Sequence, residues 1–210
     1  MNKGAVAAMF DGEYAAFLEL ARGLTDEEWN RPSLCEDWTV GDVVLHVAYH
    51  TRKSVLDSFR SGSKVVARMV ADEHAETRHG LLAWLARPVP EAARNKDNLA
   101  ELVIHSQDIR RALGIHHVYP SAVMRLSLDK CVTAYGTIFI VGRIHRVAKG
   151  LHLTATDLDW SYGSGPEVTG TAEAILMAIA ARPAALDDLS GAGVATLARR
   201  LGSVVGRVAS

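Results

Sequence analysis

Apolar residues recur at steps of three and four through most of the first 150 positions of this 210-residue chain, and that period limits the folds open to it. The repeat is typical of one face of an α-helix, whereas a half-buried strand alternates at every second residue. A first helix is predicted from Ala5 to Leu24. Thr25 and Glu28 have the spacing of a capping box and predict a short second turn that carries Trp29.

Four further helices are predicted before Gly150. Thr39 is a good N-cap for one of them, and Gly114 is a good C-terminal residue for another, because glycine accepts the left-handed conformation there. The predicted segments run from Thr39 to about Arg60, from Val65 or Asp72 to Leu85, from Asp97 to Leu113, and from Pro120 to about Gly150.

The pattern changes after Gly150. Two short alternations of apolar residues predict half-buried strands, and a glycine-rich turn separates them from a third candidate strand. Two helices are predicted to follow. The predicted strands are Leu151–Ala155, Leu158–Tyr162 and Glu167–Thr169. The predicted helices are one capped by Thr171 and running to Ala181, and one over Gly193–Val205. We therefore expect a mainly α protein: a helix bundle over residues 1–150 and a small α+β domain over residues 151–210.

Composition excludes several classes of protein. The net charge of −1 argues against a nucleic-acid-binding protein, and a hydrophobic content of 49% argues against a disordered chain. Cys35 and Cys131 lack the spacing of a disulfide framework or a cysteine zinc site. No stretch is apolar enough for a membrane span, and no signal peptide is recognisable. We expect a soluble cytoplasmic protein, monomeric or homodimeric, with no membrane or nucleic-acid partner.

Histidine placement is the most informative feature for function. On the helix predicted from Asp97, Glu101 and His105 are four residues apart and so lie one turn above each other, with Asp108 continuing the row. A carboxylate and an imidazole at this spacing can bind one divalent cation. The same spacing is also common in surface pairs, so this motif alone is weak.

The preceding helix strengthens the metal hypothesis. His46 lies between Val43 and Val47 in an otherwise apolar row, and ligands from facing helices meet in the core of a bundle. His46, Glu101 and His105 together suit Zn²⁺, or another divalent metal, with one position left open. Asp108 could orient a ligand imidazole through its other nitrogen.

Other readings of these residues stay open. His50 could be a fourth ligand, a base beside the site or an exposed residue, of which exposure is favoured. His116 and His117 are expected to form an exposed loop pair, and Cys35 to be either an inert buried thiol or a residue at the mouth of the site. The three ligand candidates could also form a hydrogen-bonded cluster in a metal-free structural bundle.

Three stretches carry a resemblance to a known family. They are LTDEEWNRPSLCEDWTVGDVVLH from Leu24, ELVIHSQDIRRALG from Glu101 and AARPAALDDLSGAG from Ala180. With the motifs Trp-x-x-Pro-Ser-Leu-Cys, Asp-Trp-x-Val and Glu-x3-His-x2-Asp, the chain resembles the mycothiol-dependent maleylpyruvate isomerase family of DinB-like metalloenzymes. The resemblance implies a DinB-like up-down bundle with a His, Glu, His metal triad, which falls on His46, Glu101 and His105.

The resemblance also implies a chemistry. Mycothiol, the low-molecular-weight thiol of actinobacteria, would bind through sulfur at the metal, which lowers the pKa of a coordinated thiol. Its thiolate would add to the cis double bond of a maleylpyruvate-like substrate, allow rotation and leave again. Arg182 matches an arginine that faces the cleft in the family and would bind an anionic substrate; a solvated arginine at a helix end is the alternative. An S-transferase, or a non-catalytic metal- or ligand-binding module linked to thiol stress, would share the same scaffold.

Overall fold

A computed structural model of the chain describes residues 2–51, 77–133 and 147–205, with side chains described as far as residue 202. Contacts within it divide the chain into two compact units, Met1–His117 and Val118–Ser210. Among the described residues the first unit is helical, and the second combines helices with a small sheet. The predicted fold class, mainly helical with a small C-terminal sheet region, is confirmed.

The helices of the first unit begin at polar N-caps. Asn2, Thr25, Thr39, Thr77 and Asn95 each accept a hydrogen bond from a backbone N–H of the first turn, which would otherwise lack a partner. The helices are α1 (Lys3–Gly23), α2 (Asp26–Trp29), α3 (Val40–His50), α4 (Arg78–Leu85) and α5 (Lys96–Leu113). Gly114 ends α5 with φ 71°, in the left-handed conformation that the sequence predicts.

The core of the first unit forms where α5 packs against α1 and α3, and α4 against the same two helices. The apolar rows seen in the sequence supply it, with Phe10 and Phe17 from α1, Val43 and Val44 from α3, and Leu99 from α5 completely buried. Burial of each such side chain contributes roughly 1.5–3 kcal/mol. This packing turns one face of α3 toward α5.

The second unit begins with α6 (Ser121–Thr133) and contains a three-stranded sheet in the order β2–β1–β3. The strands are β1 (His152–Ala155), β2 (Ser161–Gly163) and β3 (Glu167–Gly170); β1 is antiparallel to β2 and parallel to β3. Helices α7 (Ala172–Ile179) and α8 (Val194–Val205) follow. Helix α7 packs against α6, β1 and β3 and places most of its side chains in the core.

The observed elements differ from the predicted ones in extent. Contacts divide the chain after His117, because α6 packs against α7 of the second unit, and the predicted domains 1–150 and 151–210 stay a prediction. Strand β2 is shorter than predicted, since Trp160 N–H donates to Leu158 O and the chain turns there. The predicted continuations of α3 toward Arg60, of α4 from Val65 or Asp72 and of α6 toward Gly150 lie largely outside the described residues.

In the part of the chain that the structure describes, no helix combines the length and the hydropathy that crossing a membrane requires. Cys35 and Cys131 form no disulfide.

Candidate metal centre

Helices α3 and α5 bring together the three residues that the sequence selects as metal ligands. One nitrogen of His46 on α3, and one nitrogen of His105 and one carboxylate oxygen of Glu101 on α5, all lie within 4.8 Å of one another. The imidazole rings of His46 and His105 have centroids 4.6 Å apart and meet edge to face. Two imidazoles and a carboxylate from facing helices therefore converge on one point inside the first unit.

Helical periodicity explains this convergence. His46 is three residues after Val43 and one before Val47, both buried, so the packing that buries these valines also turns His46 toward α5. On α5, Glu101 and His105 are one turn apart, with His105 Nε2 at 3.4 Å from Glu101 Oε2. Residue spacing within each helix and packing between the helices together define the site.

Asp108 holds the other nitrogen of His105. Its Oδ2 lies 2.9 Å from His105 Nδ1, and its side chain is completely buried. Because a carboxylate accepts hydrogen bonds, Nδ1–H donates to Asp108, and Nε2, on the Glu101 side of the ring, is the nitrogen that could coordinate a metal. A carboxylate behind a ligand imidazole is the usual arrangement at protein metal sites.

His46 provides the test of whether a metal fits. Both of its ring nitrogens are buried, and neither has a hydrogen-bond partner among the described residues; His105 Nε2 is in the same condition. A buried polar atom without a partner costs about 1–3 kcal/mol. A cation coordinated by these nitrogens and by Glu101 would satisfy them, so the residues present fit a divalent metal such as Zn²⁺.

The pKa values of the three residues in the metal-free protein also favour a cation at this point. Burial, with His105 close by, holds the pKa of His46 well below its ordinary value, so His46 is neutral at pH 7. Burial favours the neutral form of Glu101, but the hydrogen bond and charge of His105 outweigh it and lower the Glu101 pKa to about 2. Burial likewise opposes charge on His105, yet contacts with Asp108, Cys35 and Glu101 raise its pKa well above the ordinary value. The carboxylates thus stabilise positive charge at this point.

His50 lies beside the centre and is not the exposed residue that the sequence favours. It is half-buried, its ring centroid lies 5.6 Å from that of His46, and burial lowers its pKa. The preference for exposure is therefore wrong, because one turn of α3 carries His50 along the same face as His46. Its roles as a fourth ligand or as a base stay open.

A loop before α3 supplies two further contacts, and one of them involves Cys35, for which the sequence left a place at the mouth of the site open. Pro32 and Thr39 form an isolated antiparallel bridge that closes the loop. Within it, the Trp38 ring lies 5.0 Å from the His46 ring and stacks on the His105 ring at 6.3 Å. Cys35 Sγ lies 3.4 Å from Asp108 Oδ2, so this thiol is near the centre rather than remote from it. Loops have no periodicity, and only the family motif could have pointed to these residues.

Two other predicted residues have contacts of their own within their units. Arg182, in the second unit, is buried and donates a hydrogen bond to Ala180 O, which contradicts the solvated alternative. His117 is half-buried with Nε2 at 3.3 Å from Glu13 Oε2, so only His116 of the expected exposed pair is exposed. The return of the chain toward α1 after α5 explains the His117 contact.

Fold and site first define a class: a helix bundle that presents histidine and glutamate to a common point and is followed by a small α+β unit. Residues 10–97 match the family model described as the mycothiol maleylpyruvate isomerase N-terminal domain. Residues 10–97 are therefore similar to the N-terminal domain of the mycothiol-dependent maleylpyruvate isomerase family, and the resemblance predicted from the motifs is confirmed. The matched segment includes His46 and ends before Glu101.

Solved structures support the same fold. A crystal structure of the mycothiol-dependent maleylpyruvate isomerase is similar with a TM-score of 0.55 at 15% identity, covering 91% of this chain and 93% of that chain. At this identity the similarity shows the fold alone. A crystal structure of a histidine-to-alanine mutant of that isomerase has a TM-score of 0.47 at 14% identity, with the same coverage. No curated protein matches the chain significantly by sequence.

Proposed function

We propose that the protein is a zinc-dependent enzyme that uses mycothiol to act on a small anionic electrophile, as a cis–trans isomerase of the maleylpyruvate isomerase type or as a thiol S-transferase. The observation that carries this proposal is the convergence of His46, Glu101 and His105 within 4.8 Å, with both nitrogens of His46 buried and lacking partners among the described residues. The family match over residues 10–97 supports the choice of mycothiol as the thiol.

His46, Glu101 and His105 would hold the metal. Two imidazoles and one carboxylate would leave room for a further ligand on Zn²⁺, which would supply a lowered pKa to a thiol bound there. The residues of this chain supply the donors: His46 is neutral, Glu101 is ionised, and Asp108 accepts the Nδ1–H of His105, so Nε2 would bind the metal by giving up its proton. The Trp38 ring contacts both imidazoles, with its centroid 5.0 Å from that of His46 and 6.3 Å from that of His105.

Metal content tests the first part of the proposal. Protein prepared without chelator should contain about one zinc per chain, and His46→Ala and Glu101→Gln should lower that content about 10-fold or more. His116→Ala is the matched control, because His116 is exposed and lies outside the cluster. Equal zinc content in all four proteins would exclude this centre and favour a metal-free hydrogen-bonded cluster.

Thiol use tests the second part. The zinc-loaded protein should bind mycothiol in calorimetry and convert maleylpyruvate, or transfer the thiol to another small anionic electrophile, and Glu101→Gln should lose both activities. Binding of mycothiol without turnover across a panel of anionic electrophiles would contradict an enzyme and favour a binding module.

Arg182 is proposed to bind the anionic group of the substrate. Its guanidinium is the cation that the family resemblance selects, and its burial strengthens its interaction with an anion. Arg182→Lys should raise the KM for the electrophile while leaving zinc content and mycothiol binding unchanged. An unchanged KM in a folded Arg182→Lys protein would remove Arg182 from the site.

A further inference from the structure

The sulfur of Cys35 makes a contact that the metal chemistry leaves unused. Its Sγ lies 3.4 Å from Asp108 Oδ2 and 3.9 Å from His105 Nδ1, and the same Oδ2 lies 2.9 Å from that nitrogen. One carboxylate oxygen therefore lies next to two groups that can donate. Since a carboxylate oxygen accepts, the Cys35 S–H and the His105 Nδ1–H both donate to it.

The backbone fixes the thiol in this position. Leu34 N–H donates to Asp108 O at 3.2 Å, so the loop is bonded to the main chain of the residue whose side chain the thiol contacts. Ser33 Oγ accepts from Cys35 N–H at 3.1 Å, and Ser33 N–H donates to Trp38 O at 2.9 Å. Residues 33–38 are thus a constrained turn attached to α5, and Cys35 does not need a flexible side chain to reach Asp108.

We propose that Cys35 is a positioning residue of the metal centre, which donates its S–H to Asp108 and thereby fixes the carboxylate that orients His105. This inference rests on the metal centre proposed above. Asp108 is completely buried, so bulk water does not replace a donor that is removed from it. Loss of the thiol removes one of the donors that fix this carboxylate, and His105 Nε2 then spends less time in the orientation that coordinates.

A matched series of variants isolates the hydrogen bond. Cys35→Ala removes the donor, Cys35→Ser keeps a hydroxyl donor at the same position, and Cys131→Ala is the control, since Cys131 is a buried cysteine of α6. Urea unfolding first shows that each variant is folded. The dissociation constants of Zn²⁺ and Co²⁺ are then measured by competition with a chromophoric chelator, and the visible spectrum of the Co²⁺ form reports the ligand geometry.

We expect Cys35→Ala to weaken zinc binding about 10-fold, the lower end of the effect of removing partners behind metal ligands, and to change the Co²⁺ spectrum. Cys35→Ser should restore most of the affinity and the wild-type spectrum, and Cys131→Ala should match the wild type. Unchanged affinity and spectrum in Cys35→Ala would overturn the proposal. Equal impairment of Cys35→Ala and Cys35→Ser would also overturn it, because the loss would then come from packing.

A further outcome separates positioning from coordination. Cys35 Sγ, His105 Nδ1 and an Asp108 oxygen also form a group within 4.8 Å. If Cys35 were a ligand, the Co²⁺ protein would show a sulfur-to-cobalt charge-transfer band that Cys35→Ser abolishes, and the positioning role would be wrong. We expect no such band.

One readout does not depend on the metal. In metal-free protein the His105 Nδ1 proton, followed by nitrogen-resolved NMR, should exchange with water faster in Cys35→Ala than in the wild type, and Cys35→Ser should restore the slow rate. If wild-type protein bound neither zinc nor cobalt, the proposed function would fail while this exchange result still decided the role of Cys35. Equal exchange rates in all three proteins would overturn that role.

Discussion

Gly41 and His46 lie on the same short helix, α3, and both residues are unfavourable there by themselves. In each case a neighbouring group accounts for the presence of the residue. Glycine inside a helix costs about 0.5–1 kcal/mol relative to alanine, yet a Cβ at Gly41 would lie 2.2 Å from Nε1 of Trp29. A buried imidazole without hydrogen-bond partners is similarly unfavourable unless something binds it. Gly41 lets α2 approach α3, and a metal bound at the proposed centre would give the His46 imidazole a partner.

The Gly41 contact predicts a stability change. Gly41→Ala should lower the free energy of unfolding by about 1–3 kcal/mol, because the indole of Trp29 must move away from Arg78, which lies 4.9 Å over its ring. Urea denaturation followed by circular dichroism measures the change.

Gly12→Ala is the control for this substitution. Gly12 is an exposed residue inside α1 with no atom within 4 Å of its added Cβ, so alanine should raise the free energy of unfolding by about 0.5–1 kcal/mol. Equal changes in the free energy of unfolding at the two glycines would show that the Trp29 contact does not determine the effect of Gly41→Ala.

At the scale of elements, capping boxes begin the two helices on either side of the loop that carries Cys35 and Trp38. In α2 the box pairs Thr25 with Glu28, and in α3 it pairs Thr39 with Asp42, each with both reciprocal hydrogen bonds formed. These boxes determine where the chain enters each helix. The start of α3 at Val40 in turn determines which residues face α5.

Removal of the α3 cap should destabilise the fold and the site together. Thr39→Ala should lower the free energy of unfolding by about 0.5–2 kcal/mol, because it removes the acceptor for Asp42 N–H and the hydroxyl donor to Asp42 Oδ2. Chemical denaturation measures this loss, and zinc competition should show weaker binding. Thr39→Ser keeps the hydroxyl and should behave as wild type; a serine variant as unstable as the alanine variant would assign the effect to the lost methyl group.

The α2 box predicts a pH dependence. The backbone N–H and side chain of Thr25 lower the pKa of Glu28, so its carboxylate is more stable in the folded protein than in the unfolded chain. The stability that Glu28 contributes is present above its unfolded pKa and is lost as the pH falls through the lowered folded value.

NMR titration of the Glu28 carboxyl measures this prediction. The pKa of Glu28 should lie below 4.5 in the wild type and rise in Thr25→Ala, where the hydroxyl is gone but the backbone N–H remains. A pKa unaffected by Thr25→Ala would contradict a side-chain contribution to the box.

At the scale of the whole molecule, the proposed centre would link metal binding to the folding of the first unit. The ligands lie on two helices, so the proposed centre exists only when α3 and α5 are packed. A ligand that binds only the folded state stabilises it by about 2.7 kcal/mol when its free concentration is 100 times the dissociation constant.

Zinc should therefore raise the thermal midpoint of wild-type protein, and a chelator should reverse the effect. Calorimetry measures the midpoint, and hydrogen exchange should show added protection in α3 and α5. Glu101→Gln should abolish both responses, whereas His116→Ala should keep them. A midpoint that rises equally in Glu101→Gln would mean that zinc binds elsewhere.

Much of this architecture was predictable from local pattern. The apolar period, Thr25, Thr39 and Gly114 placed α1, α2, α5 and the start of α3 correctly, because helix ends and faces depend on residues within one or two turns. The predicted convergence of His46 with Glu101 and His105 followed from the same reasoning. The roles of these residues, and of Asp108 and Arg182, stay predictions.

Contacts between segments distant in sequence were not predictable in this way. The contacts of the Cys35 thiol with Asp108 and of the Trp38 ring with His105 each depend on which segment packs against which. Sequence alone determined the helices, their caps and the presence of imidazole and carboxylate side chains on their inner faces, since these depend on neighbours along the chain. Only the tertiary structure decided that the Cys35 thiol and the Trp38 indole would contact the imidazole of His105. Packing, and not spacing along the chain, brings residues 70 positions apart into contact.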